Sequence, residues 1–90
     1  MAHFALFYDY VPNIVERRAP FRPAHLELYR RWREEGRLVM GGAIGAPPHG
    51  ALIVFDAESA AEVDEFAEQD PYVQNGLVTA KRVEPWAVVA

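Results

Sequence analysis

Read along the chain, the elements run strand, helix, strand, strand, helix, strand, which predicts an α+β fold of the ferredoxin-like βαββαβ class: a four-stranded antiparallel sheet with both helices on one face. Three observations carry that expectation. Apolar residues recur at helical spacing in two segments, one holding Phe21, His25, Leu28 and Trp32, the other Val63, Phe66, Ala67 and Asp70. Short apolar runs bounded by Gly, Pro and Asn lie around them and read as strands. The third is size: 90 residues make one domain, residues 1–90, with a core modest enough for two layers.

The first strand is His3 to Tyr10, aromatic and apolar on both alternating faces, as in a strand covered on both sides. Val11-Pro12-Asn13 ends it. Residues 13–19 suit a helical turn, broken by Pro20; Pro23 then fits the first position of a helix running to Glu35, with Gly36 as its C-cap. Leu38 to Ile44 reads as the second strand, its two glycines marking a bulge or a close approach. After the loop Gly45-Ala46-Pro47-Pro48-His49-Gly50, Ala51 to Phe55 is the third, antiparallel to the second. Ser59-Ala60-Ala61-Glu62 matches a capping box and starts the second helix, which Pro71 ends because a proline disfavours helical geometry at the residue before it. Residues 70–76 form an ordered connection to the last strand, Leu77 to Val83, followed by Glu84-Pro85-Trp86 and an apolar tail.

Hydrophobic residues make up 51% of the chain, more than two layers of this size can hide. With both helices on one face, Phe4, Leu6 and Tyr8 cannot share an environment with Ala5 and Phe7, so the second face needs a cover. A second copy is the economical one. The expected assembly is a sheet-to-sheet homodimer of the dimeric α/β-barrel type, helices outside.

The chain has no cysteine, which excludes disulfides, thiol nucleophiles and thiolate metal sites. No signal peptide or membrane-spanning run is visible, so the expected location is the cytoplasm and no membrane partner is implied. Eight arginines against one lysine, with abundant alanine, fit a GC-rich bacterial genome. The net charge of −4 argues against nucleic acid as a partner, although seven of the nine basic residues lie between Arg17 and Arg37. Arg30, Arg31, Arg33 and Arg37 with interleaved Glu27, Glu34 and Glu35 read as an exposed helix face held by pairs such as Glu27 with Arg31. Neither His3 nor His49 makes a ligand spacing with His25, so no metal site is expected. No phosphate-cradling loop, nucleophile elbow or dinucleotide fingerprint occurs, and no cofactor is implied.

What remains is a separated polar pair on the two apolar stripes. His25 and Asp70 should both point inward, and burial costs free energy unless each finds a partner, which the other supplies. A carboxylate on one imidazole nitrogen fixes the tautomer and favours the other nitrogen as a general base. Asp70 also stands at a helix C-terminus, where the macrodipole opposes negative charge and calls for a partner cation or a raised pKa. The plainer account is a structural hydrogen bond between a core histidine and a capping carboxylate.

Arg22-Pro23-Ala24-His25-Leu26, Gly36, Gly41-Gly42, Asp70-Pro71-Tyr72, Gly76-Leu77 and Pro85-Trp86 together resemble the YciI-like (YCII-related) proteins, over nearly the whole chain. The resemblance implies a dimeric ferredoxin-like fold and a site built on the family's histidine and aspartate, which fall here on His25 and Asp70. It implies no substrate.

Around that pair, Arg22 lies one turn before His25 and is a candidate to hold an anionic substrate, or else a solvated arginine. Tyr72 offers a phenol as proton donor or pocket closure, or an aromatic plug over a helix end. Tyr8 and Trp32 are candidate pocket walls or core. The loop around Pro47-Pro48-His49 is a candidate lid. Two functions follow: a small cofactor-independent enzyme of lyase or isomerase type, with His25 moving a proton on a small molecule, or a non-catalytic ligand-binding or structural dimeric module.

Overall fold

The computed structural model describes residues 2–90. Its elements are β1 (Ala2–Tyr10), α1 (Ile14–Arg17), α2 (Arg22–Glu34), β2 (Leu38–Ile44), β3 (Gly50–Ala57), α3 (Ala60–Gln69), α4 (Pro71–Gln74) and β4 (Val78–Trp86). The sheet order is β2-β3-β1-β4 with all neighbours antiparallel, so this is the ferredoxin-like α+β fold. No helix among the described residues is long and apolar enough to cross a membrane.

Sequence chemistry sets most of the boundaries. Pro23 takes the second position of α2, one place later than expected, where its missing N–H would have found no helical partner anyway. Gly36 follows the C-cap Glu35 with φ of 77°, the left-handed geometry that glycine adopts without strain. The Ser59 hydroxyl accepts from the Glu62 amide at 3.4 Å, one half of the capping box, while the Glu62 carboxylate lies toward Arg37. Two strands run beyond their expected ends. β3 extends to Ala57, and β4 continues through Pro85 to Trp86 because it is an edge strand, where a missing N–H breaks no ladder on the open side. The expected connection after Pro71 holds a helical turn of its own, α4.

The main core lies between helices and sheet: Phe4, Leu6, Ile53 and Phe55 from the strands meet Leu28, Trp32, Val63 and Phe66. Trp32, Phe55 and Phe66 pack edge to face at centroid separations of 4.9 to 5.9 Å, the arrangement that ring quadrupoles favour. A smaller core of Val11, Ile14, Tyr72 and Leu77 anchors α1 and α4 beside it. The other sheet face carries Ala5, Phe7, Leu52 and Val54 in register, with exposed Met40 and Trp86 at its margins. On the outer side of α2, Arg30 pairs with both Glu27 and Glu34, whereas the expected partner of Glu27, Arg31, reaches Gln69 instead. Arg33 donates to the Val39 carbonyl and Arg37 lies over the Trp32 ring.

Candidate active site

α2 aims His25 at the junction of α3 and α4, where Asp70 sits. Pro71 forces Asp70 out of helical geometry (φ −72°, ψ 119°), and in that extended turn its carboxylate swings back over the start of α4. Both residues are buried, His25 at 5% and Asp70 at 0% exposure, so each needs its partners from the protein.

Three donors meet the Asp70 carboxylate. His25 Nδ1 lies 2.7 Å from Oδ1, the Tyr72 amide donates to the same oxygen at 3.0 Å, and the Tyr8 hydroxyl donates to Oδ2 at 3.0 Å. This corrects the expectation of a carboxylate set against a helix C-terminus alone: Asp70 ends α3 and also caps α4, so a backbone amide faces it from the second helix. Because a carboxylate only accepts, Nδ1 must carry the proton in this contact, which leaves Nε2 of the neutral ring as the lone-pair nitrogen.

The His25 ring plane is fixed as well. Tyr72 stacks on it at 3.6 Å with an interplanar angle of 2°, and Tyr29 packs against it at 4.3 Å. A Cβ at Gly41 would sit 3.3 Å from Tyr29 Cε2 and 3.2 Å from Ile53 Cγ2, so glycine there lets Tyr29 lie against β2.

In front of His25 is a cavity of about 210 Å³, walled by Arg18, Arg22, His25, Tyr29, Tyr72 and the Gly41–Ala43 backbone, with Tyr10 at one side. Of the residues singled out in the sequence, Arg22, His25 and Tyr72 thus meet around one space. Asp70 and Tyr8 stand behind His25, and Trp32 is buried in the aromatic core. The Pro47-Pro48-His49 loop borders a different, larger concavity of about 520 Å³ against Val11–Glu16, which shares Tyr10 with the first.

Arg18, Tyr10 and Tyr29 were missed. Tyr29 is four residues after His25 and so on its helix face, a usable signal; Arg18 caps a four-residue helix two places before Pro20, where periodicity carries none.

The tyrosines share one electrostatic direction. Burial, then the Asp70 charge, push the Tyr8, Tyr10 and Tyr29 hydroxyls above their ordinary 10.0. Burial also raises Tyr72, opposed by the guanidiniums of Arg22 and Arg18. Although Arg22 lies beside it, the Tyr72 hydroxyl oxygen is buried without a hydrogen-bond partner of acceptable geometry. Among the described residues no three His, Cys, Asp or Glu side chains converge as a metal site would require.

Comparison with known proteins places these features. The model of the YCII-related domain matches residues 2–87. Protein YciI of Escherichia coli is 30% identical over 83% of this chain and 86% of its own. Among solved structures, 5-chloro-2-hydroxyhydroquinone dehydrochlorinase from Burkholderia phenoliruptrix, in complex with 2,5-dihydroxybenzoquinone, superposes with a TM-score of 0.79 at 26% identity, covering 94% of this chain and 93% of that one. A dimeric ferredoxin-like protein from an uncultured marine organism shares the fold at a TM-score of 0.52 and 16% identity, over 100% of this chain and 96% of that one.

Proposed function

The chain belongs to the YCII-related family, and from that premise we propose that it is a small cofactor-independent enzyme in which His25, oriented by Asp70, moves a proton on a small molecule held in the adjoining cavity. Lyase or isomerase chemistry is the reaction class. One observation carries the reading: the 2.7 Å contact between His25 Nδ1 and Asp70 Oδ1 behind a ring whose other side borders open space. A base held in one tautomer and one orientation loses little freedom on reaching the transition state. Arg22 and Tyr72 are the substrate contacts in this proposal, and Tyr8 is a positioning residue acting through Asp70. The dehydrochlorinase that this chain resembles acts on a hydroxylated six-membered ring, and a cavity of about 210 Å³ has room for a molecule of that size.

The same reading includes a homodimer, sheet to sheet, in the cytoplasm. Phe7, Leu52, Met40 and Trp86 form an apolar surface on the face away from the helices, and Asp56 Oδ1 on that face is buried without a partner. Sedimentation at micromolar concentration should give twice the chain mass; a monomer there rejects the assembly.

The catalytic proposal is tested by a thermal-shift screen of small metabolites followed by turnover of the compounds that bind. Conversion should fall at least about 100-fold in His25→Ala. A structural module is the outcome if His25→Ala and Asp70→Asn lower the melting temperature yet leave every conversion and affinity unchanged.

A further inference from the structure

Resting on that reading, we infer that the cavity contains an oxyanion cradle formed by Arg18, Arg22 and the Tyr72 hydroxyl, so that its ligand is a small organic anion, a carboxylate or an ionised phenol or enol. Two independent observations meet here. The first is a buried donor with nothing to donate to: Tyr72 is 1% exposed, it walls the cavity, and its hydroxyl oxygen has no partner. Such a group costs stability unless something outside the chain satisfies it.

The second is charge. The arginines farther along α2 and beyond it all have acceptors: Arg30 on Glu27 and Glu34, Arg31 on Gln69, Arg33 on the Val39 carbonyl, Arg37 on Glu35. Among the described residues Arg17, Arg18 and Arg22 have no carboxylate, amide or carbonyl acceptor, and of these three Arg18 and Arg22 wall the cavity. Asp70, the carboxylate bonded to His25, lies behind the ring with three donors of its own. Two guanidiniums and the Tyr72 ring therefore wall the same space as His25, with the Tyr72 hydroxyl buried beside Arg22, and the arrangement suits an oxyanion held at one end while the imidazole reaches another atom of the same molecule.

The test uses benzoate and 4-nitrophenolate as probes, with benzamide and 4-nitroanisole as their neutral counterparts, titrated into the ¹⁵N-labelled protein at mildly alkaline pH. At least one anion should bind about tenfold more tightly than its neutral counterpart, shifting the amides of Arg18, Arg22 and Tyr72; which anion does so separates carboxylate from phenolate. In an R18Q/R22Q double variant, whose changes lie at exposed or half-exposed positions, that preference should vanish, and Tyr72→Phe should weaken the anion about threefold to tenfold. Equal binding of anions and neutral compounds, no anion binding at millimolar concentration, or a preference that survives the double variant overturns the cradle. His25→Phe keeps a ring for Tyr72 to stack on and should still bind the anion. Anion preference without any His25-dependent conversion would sink the catalytic reading alone, and conversion of neutral rings without anion preference would sink the cradle alone.

Discussion

The two sides of the His25 ring differ in one respect above all: behind it the polar side chains are paired on Asp70, and in front of it two arginines have no carboxylate and the Tyr72 hydroxyl has no acceptor. Behind, Asp70 takes donors from His25, Tyr8 and the Tyr72 amide in a space closed to water. In front, two arginines and the Tyr72 ring wall a cavity, and the Tyr72 hydroxyl is buried without an acceptor. Satisfied polar networks hold a fold together, whereas unsatisfied ones are a cost that a ligand removes. Stability should therefore reside on one side of the ring and binding on the other.

Breaking the rear network has the largest expected effect. Asp70→Ala leaves three donors unpaired in the core and should cost about 4 kcal/mol in urea unfolding, where a loss under about 1 kcal/mol would show that the network contributes little. Two tyrosines on opposite sides of the same histidine then make the sharper contrast. Tyr8→Phe removes a bond to a charged acceptor and should cost about 2 kcal/mol; Tyr72→Phe removes an unpartnered hydroxyl and should be neutral or stabilising by up to about 1 kcal/mol. Equal losses in both would erase the distinction between the sides.

Alkaline pH probes both at once. All four tyrosine hydroxyls are raised above 10.0 in the folded chain, so above that pH the unfolded chain has released protons that the folded one keeps. The folded state then binds more protons than the unfolded, and stability falls as pH rises, by up to about 1.4 kcal/mol per pH unit for a fully buried tyrosine. Tyrosinate absorbance should accordingly appear together with unfolding. Ionisation of Tyr8 in a still-folded chain would contradict its burial. Smallest of all is Arg22→Gln, expected within about 0.5 kcal/mol of the parent in stability because the residue is exposed and paired with no carboxylate.

The rear of the site was more legible in the sequence than the front. The stripe Phe21, His25, Leu28, Trp32 points His25 inward, and Pro71 fixes where α3 must stop, so the pairing with Asp70 follows from periodicity and one proline. Tyr8 alternates with Phe4 and Leu6 on β1 and reads as core, which it is, but nothing in that alternation says that its hydroxyl finds Asp70. The double capping role of Asp70 was hidden for a related reason: α4 is a single turn, too short for any hydrophobic period. In front, Arg22 was reachable because it shares a helix turn with His25. Arg18 reaches the cavity only because the small core around Ile14 and Leu77 folds α1 against α4, a long-range contact with no local signature. The hairpin between β2 and β3 was expected as a lid and instead borders the neighbouring concavity, since Tyr10 donates its amide to the His49 carbonyl and ties that loop beside Val11 to Glu16.

The central claim is that His25 is held from behind by Asp70 and offers its other nitrogen to the cavity. Long-range ¹H–¹⁵N correlation of the histidine side chains, with and without a cavity-binding anion, tests it most directly. The account predicts that the neutral His25 ring carries its proton on Nδ1, that Nε2 is an unprotonated acceptor, and that the Nε2 resonance moves when the anion binds. A proton on Nε2, or an Nε2 resonance indifferent to the ligand, would contradict it.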